Sequence, residues 1–251
     1  TLSMARSLRR FGLTQSREGS TVVFANTYGG ASNLAAGCAM PPPASIFADV
    51  GVDLTEETEE ARSELWIDEL PDQLLGQANT RLLEATNDAG FDWRKVTKFI
   101  RAEDCVEGCS DCMLGCRRGA KWTARVFGDE ARALGARIQT RTRVRRLLTE
   151  SGRITGVEAS RYGRIQTFRA DRVVLAAGMG NIPLLRDTGI DSAGQRFCCD
   201  WLQFIGAEIP ELDPSNSHPM AIGTLERYES DGIVVLPVFP SWAQYGVMLS
   251  R

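Results

Sequence analysis

Apolar and polar positions change their period several times along this chain. Between Leu2 and Leu13, the residues Met4, Leu8, Phe11 and Leu13 recur at roughly helical spacing with arginines between them, which predicts a helix. Thr21–Ala25 is strand-like and runs into the paired Gly29 and Gly30. The small residues that follow (Ala31, Ser32, Ala35, Ala36, Gly37) suit close approach of the backbone to a ligand or another element. Pro41–Pro43 enforce an extended segment. From Asp53 to Lys98 acidic and apolar residues alternate at helical spacing; Thr55 caps a first helix with an acidic first turn, and Pro71 opens a second that continues towards Gly90. Trp66, Trp93 and Trp122 fall in helical segments and read as core.

A helix over Trp122–Leu134 ends at Gly135, and the segment up to Glu150 alternates like a strand. Glu150–Arg153 turns into ITGVEAS, and Tyr162–Gly163 turns into the next strand. The apolar run Val173–Gly178 reads as a buried strand that passes through a glycine turn into a helix with Pro183 in its first turn. Beyond Gly206, strand-like pieces such as GIVVLPVF are broken by prolines, which place them at sheet edges. Tyr245–Arg251 reads as a strand cut off in mid-course. Helix, strand, hairpin and buried strand in this order make an α/β pattern.

With 251 residues and 43% hydrophobic content the chain has ample material for a packed core. Lys and Arg number 29 against 32 Asp and Glu, so the overall charge of −3 gives no case for nucleic acid. The longest apolar runs are strand-sized, well short of the ~18–20 residues of a membrane span. No signal peptide is evident, and the expected location is cytoplasmic.

The seven cysteines change the picture. Four of them, Cys105, Cys109, Cys112 and Cys116, fall in one short run spaced C-x3-C-x2-C-x3-C. An odd number packed so tightly is a poor disulfide framework. Thiolates are soft ligands for an iron–sulfur cluster or zinc. Zinc sites usually separate two cysteine pairs by a longer loop, so a [4Fe–4S] or [3Fe–4S] cluster fits this spacing better, with packing thiols as the alternative. Cys38, Cys198 or Cys199 would complete the shell if one of the four is a bystander. Arg117, Arg118 and Lys121 would offset the charge of a thiolate-bound cluster. His218, the only histidine, lies in the polar stretch SNSHPM and reads as a solvated loop residue. The acidic run Glu56–Glu64 and the arginine strand Arg141, Arg143, Arg145, Arg146 read as solvated faces.

Three stretches in this order, YGGASN from Tyr28, the cysteine run leading into GAKW, and VVLAAGMGNIPLL from Val173, resemble the glucose–methanol–choline (GMC) flavoprotein oxidoreductases. The resemblance covers roughly residues 21–40 and 105–190. It implies an FAD-binding Rossmann-type sheet over residues 1–190, with a helical region 53–100 and the cysteine-rich segment 105–116, and partial substrate-domain strands of an antiparallel sheet over 191–251. It places Gly29, Gly30, Ser32 and Asn33 near the flavin or pyrophosphate, Val144 at the adenine through its backbone, and Ala176, Ala177 and Gly178 along the FAD.

The family's strand–GxGxxG–helix unit and its catalytic-histidine segment do not occur in these residues, Ala35 stands where the family's asparagine is expected, and Asp200 is followed by Trp201 rather than His. No catalytic residue is therefore assigned, and a further segment or chain is expected to supply both missing pieces. The implied activity is FAD-dependent dehydrogenation or reduction of a small molecule, an alcohol or an activated C=C or C=O bond, with electrons relayed through an iron–sulfur cluster to a redox partner protein. The alternative is a non-catalytic iron–sulfur electron-transfer or scaffold subunit of a flavoprotein complex.

Overall fold

A computed structural model describes residues 11–15, 17, 21–196, 202–207, 209 and 211–239. Most of the helix expected over Leu2–Leu13, the pair Cys198 and Cys199, Asp200 and Trp201, and the strand expected over Tyr245–Arg251 lie outside the described residues. The chain divides into two compact units, one from Thr1–Gly135 with Glu208–Arg251 and one from Ala136–Ala207.

The first unit opens with an antiparallel hairpin, β1 (Phe11–Gln15) on β2 (Thr21–Ala25), in register from Phe11 opposite Ala25 to Gln15 opposite Thr21. Phe11 and Leu13 are thus in a strand, not in the helix that their spacing suggested. A 3-10 turn over Gly30–Asn33 follows, then α1 (Ala44–Ala48), capped by Pro43 where the proline run ends. The acidic helix α2 (Thr55–Glu64) buries none of its residues. Its cap differs from the expected one: the Asp53 carboxylate accepts from both the Thr55 N–H (3.0 Å) and its hydroxyl (2.6 Å).

Short strand β3 (Ile67–Asp68) leads to α3 (Asp72–Leu75), which Pro71 opens as its sequence predicts, and to α4 (Gln77–Asp88). Strand β4 (Arg94–Lys95) and strand β5 (Lys98–Phe99), the latter paired with β3, bring Ile100 to the centre. The core is Leu70, Leu74, Leu75, Ile100, Cys112, Ala120, Ala221 and Ile222, with Cys105 and Cys116 packed against it. Some of the cysteine run is therefore core. Trp66, Trp93 and Trp122 are half-buried and lie outside the helices. Trp66 has a positive φ of 58°, and the Arg101 guanidinium stacks 3.9 Å above its ring. Helix α5 (Arg125–Ala133) ends at Gly135, whose φ of 98° suits only glycine well.

The second unit is an antiparallel meander, β6 (Thr142–Glu150), β7 (Arg153–Arg161) and β8 (Arg164–Arg169). Two-residue turns at Ser151–Gly152 and Tyr162–Gly163 have positive φ at both positions, matching the strands' right-handed twist. A bulge between Val144 and Arg146 re-aims the start of β6. The arginine strand is a solvated face as expected, with Arg146 paired to Glu158 at 2.9 Å.

Val173–Ala177, expected as a buried strand, forms no strand, and Val174 is 87% exposed. A 3-10 turn over Gly178–Gly180 then starts α6 (Asn181–Arg186). The Asn181 side chain closes this turn, accepting from Ala177 N–H (3.0 Å) and donating to the Leu175 carbonyl (3.1 Å).

Back in the first unit, β9 (Ile222–Gly223) pairs with β4, and α7 (Tyr228–Asp231) precedes the stretch GIVVLPVF. That stretch contributes one bridge, Val235 to Thr224, instead of a strand. Helices and sheets are mixed, as the α/β reading expects. All strand pairings among the described residues are antiparallel, so the expected Rossmann-type parallel sheet is not seen there. No helix among the described residues is long and apolar enough to cross a membrane.

Candidate functional site

The glycine loop after β2 is built from its own polar side chains. Gly29 (φ 95°) and Gly30 (φ 56°) turn the chain left-handed, a conformation glycine adopts at little cost. The Asn33 amide donates to Thr27 Oγ1 (3.1 Å), the Tyr28 carbonyl (3.0 Å) and the Gly30 carbonyl (3.0 Å), closing the loop on itself. The Ser32 hydroxyl donates to the Gly29 carbonyl and accepts from the Ala124 N–H (2.9 Å), which ties the loop to the start of α5. A Cβ at Gly29 would meet Arg125 Cγ at 2.7 Å, whereas one at Gly30 would meet nothing within 4 Å. One side of the loop is thus packed and the other open.

Two buried lysines hold the carbonyls of the residues that follow the paired glycines. Lys121 Nζ donates to the carbonyls of Ser32 (3.0 Å), Asn33 (3.2 Å), Ala35 (2.6 Å) and Cys112 (2.7 Å). Lys98 Nζ donates to those of Ala36 (2.8 Å), Pro219 (2.5 Å) and Met220 (3.4 Å). Burial disfavours the charged forms: it pushes Lys121 down to about 8, and Lys98 also falls below the ordinary lysine value. In sequence Lys121 reads as a counter-charge to a cluster; in the structure its donors serve backbone carbonyls.

All four cysteines of the run line one cavity of about 590 Å³, together with Arg117, Arg118 and His218. Contrary to the solvated-loop expectation, His218 is fully buried. Its N–H donates to the Leu75 carbonyl (3.1 Å), and its carbonyl accepts from the Asn79 amide (2.8 Å). Ser217 Oγ accepts from the Ala78 N–H (2.9 Å), an otherwise free donor in the first turn of α4. Of the polar residues that made this stretch look wet, Ser217 and His218 are buried, whereas Ser215 and Asn216 are exposed.

The His218 ring stands between two thiols: Nε2 is 3.5 Å from Cys105 Sγ and Nδ1 is 3.6 Å from Cys112 Sγ. Burial, then the nearby Lys98 charge, pushes His218 down to about 4, so the imidazole is neutral at neutral pH. Burial likewise pushes Cys112 up to about 11 and raises Cys105, which keeps both thiols protonated. Cys38 pairs across a bridge with Lys98 and takes no part in the cavity wall.

The two cofactors implied by the sequence fare differently against these residues. For FAD, Gly30 and Gly178 (φ 54°) are both left-handed and both leave open space where a Cβ would stand, so a planar or anionic group can reach their backbone. Ser32 and Asn33 shape the loop and have their hydrogen bonds within it. In the second unit Ala176, Ala177 and Gly178 are exposed, and Val144 on β6, opposite Ala159, is 37% exposed. Each stretch suits a backbone-bound flavin nucleotide. For an iron–sulfur cluster the donor chemistry is right but the arrangement is not. Cys105 and Cys112 flank His218, yet among the described residues no three His, Cys, Asp or Glu side chains are arranged so that they could hold a metal ion.

Sequence reasoning missed Lys98 and misplaced Lys121 and His218. The GAK stretch after the cysteines was the one available signal for Lys121. A family model described as GMC oxidoreductase matches residues 8–209. Two relatives from Mycobacterium tuberculosis, both described as uncharacterized GMC-type oxidoreductases, one from strain H37Rv and one from strain CDC 1551 / Oshkosh, are 35% identical over 140 residues. That alignment covers 55% of this chain and 22% of each relative's length. A match over most of the chain, on top of the glycine loop and the order of the motifs, settles the relationship: this chain belongs to the GMC oxidoreductase family, a family of FAD-binding oxidoreductases.

Proposed function

We propose that the protein containing this chain is an FAD-dependent oxidoreductase that acts on a small molecule, an alcohol or an activated C=C or C=O bond. The observation that carries this reading is the family match over residues 8–209, within which the Gly29–Asn33 loop leaves its Gly30 side open. Bound FAD would supply hydride chemistry at its N5 position.

The chain's own role is binding and orientation. The open backbone at Gly30 receives the cofactor, and Ser32 and Asn33 hold the loop's shape against the start of α5. In the second unit, Ala176–Gly178 and Val144 are exposed. His218 is not the group that exchanges a proton with substrate, because it is buried and flanked on both ring nitrogens by thiols. A general acid–base group and a glycine-rich phosphate-gripping unit come from a further segment or partner chain, and a redox partner protein takes the electrons. The iron–sulfur relay has no assembled ligand set among the described residues.

The test is the visible spectrum of the purified full-length protein. Flavin bands near ~450 nm that bleach with dithionite are expected. Full-length protein that carries no flavin and takes up no added FAD would refute the reading.

A further inference from the structure

The two buried lysines are the least ordinary feature of the first unit. Neither makes an ion pair among the described residues. A buried ammonium without a carboxylate is costly unless all its hydrogens are taken. Here seven carbonyl oxygens take them, and four of those belong to Ser32, Asn33, Ala35 and Ala36 in a single stretch of loop.

The division of labour between the two is uneven. Lys98 holds only Ala36 from that stretch and spends its other bonds on Pro219 and Met220, next in sequence to the core residues Ala221 and Ile222. Lys121 holds three loop carbonyls together with Cys112 O. Its stem is sheathed by Gly37, where a Cβ would come within 3.3 Å of Lys121 Cδ. Its four acceptors are thus drawn to one point, while the space where a Cβ of Gly30 would stand is empty to 4 Å.

We propose that Lys121 is a positioning residue for the cofactor: its ammonium gathers the carbonyls of Ser32, Asn33 and Ala35 and so keeps the Gly30 face of the loop in the shape that receives the flavin. The proposal rests on the reading of that loop as a flavin contact. It separates Lys121, which shapes the binding surface, from Lys98, which braces the core.

The experiment measures FAD affinity of the intact protein by flavin fluorescence, beside thermal unfolding, for Lys121→Met, Lys98→Met and Gly30→Asn. Asn tolerates the left-handed backbone while placing a side chain in the open space. Lys121→Met is expected to raise the FAD Kd by about tenfold or more at temperatures where the protein stays folded, and to alter the visible circular dichroism of the bound flavin. Lys98→Met is expected to lower the unfolding temperature without moving the Kd. If Lys121→Met does not fold, Lys121→Gln, which keeps N–H donors without the charge, carries the test with a smaller rise expected. Equal effects of both lysine variants on Kd, or an unchanged Kd at Lys121 while Gly30→Asn weakens binding, would overturn the role of Lys121 alone. An unchanged Kd for Gly30→Asn would overturn the flavin placement, and the proposal with it.

Discussion

Acidification should unfold the first unit through His218. The ring is fully buried and neutral, with a folded-state value of about 4 against the ordinary 6.5. At roughly 1.4 kcal/mol for each tenfold change in proton affinity, that difference amounts to about 3 kcal/mol. The sign follows from which state binds the proton first. On acidification the unfolded chain takes it up near its ordinary value, while the folded ring resists, so protons favour unfolding. The stabilisation is complete above the ordinary value of 6.5 and is lost as pH falls towards about 4. Between about pH 7 and about pH 5 the expected loss is about 2 kcal/mol, a large share of a typical net stability. The assay is urea unfolding under reducing conditions, followed by tryptophan fluorescence because Trp93 packs against the core, at several pH values for the native sequence and for His218→Gln. The variant should be less stable near neutral pH and should lose most of the acid dependence. An equally steep fall in the variant would show that other groups carry the titration.

Two glycines and the histidine give further expectations. Gly76→Ala would place a Cβ against the Asn216 carbonyl and Ser217 Cα at a φ of 83°, and should cost more than about 2 kcal/mol in chemical unfolding. Gly156→Ala would drive a Cβ into the Phe168 carbonyl across the β7–β8 pair; a broken meander should show as faster amide exchange in β8 than in the native chain. If His218 exchanges no proton with substrate, His218→Ala should change turnover of the full-length protein by less than about tenfold, against the 10²–10⁴-fold typical of a lost acid–base group. A thousandfold loss with folding and FAD content intact would make it catalytic.

What the sequence revealed follows the range of the forces involved. The turns at Ser151–Gly152 and Tyr162–Gly163, the start of α3 after Pro71 and the end of α5 at Gly135 are set by residues next to them, and all were legible. The placement of His218 was not, because it depends on Leu75 and Asn79, which are far away along the chain. Lys98 carried no signal and Lys121 read as a counter-charge to a cluster, since the carbonyls that satisfy them leave no trace in a side-chain pattern. The run Val173–Ala177 has the composition of a sheet interior, yet no strand pairs with it among the described residues, and composition alone cannot supply a neighbour. For the site, spacing marked the four cysteines as cluster ligands; they line one cavity, but spacing could not say that two of their thiols would face an imidazole.

The route of the chain through its two units bears on how it is made. The meander closes between neighbours in sequence, so β6, β7 and β8 can pair as soon as Arg169 is clear of the ribosome. The core of the first unit has no such luxury. Leu70, Leu74 and Leu75 lie against Ala221 and Ile222, with the whole of the second unit translated between them. Until those last residues emerge, the apolar side of α3 and α4 and the thiols of Cys105 and Cys112 lack their final cover, and closing so long a loop is slow relative to local pairing. During synthesis the protein therefore passes through a stage in which a finished sheet interrupts an unfinished core, and in that interval its cysteines are most open to oxidation and its leucines to aggregation.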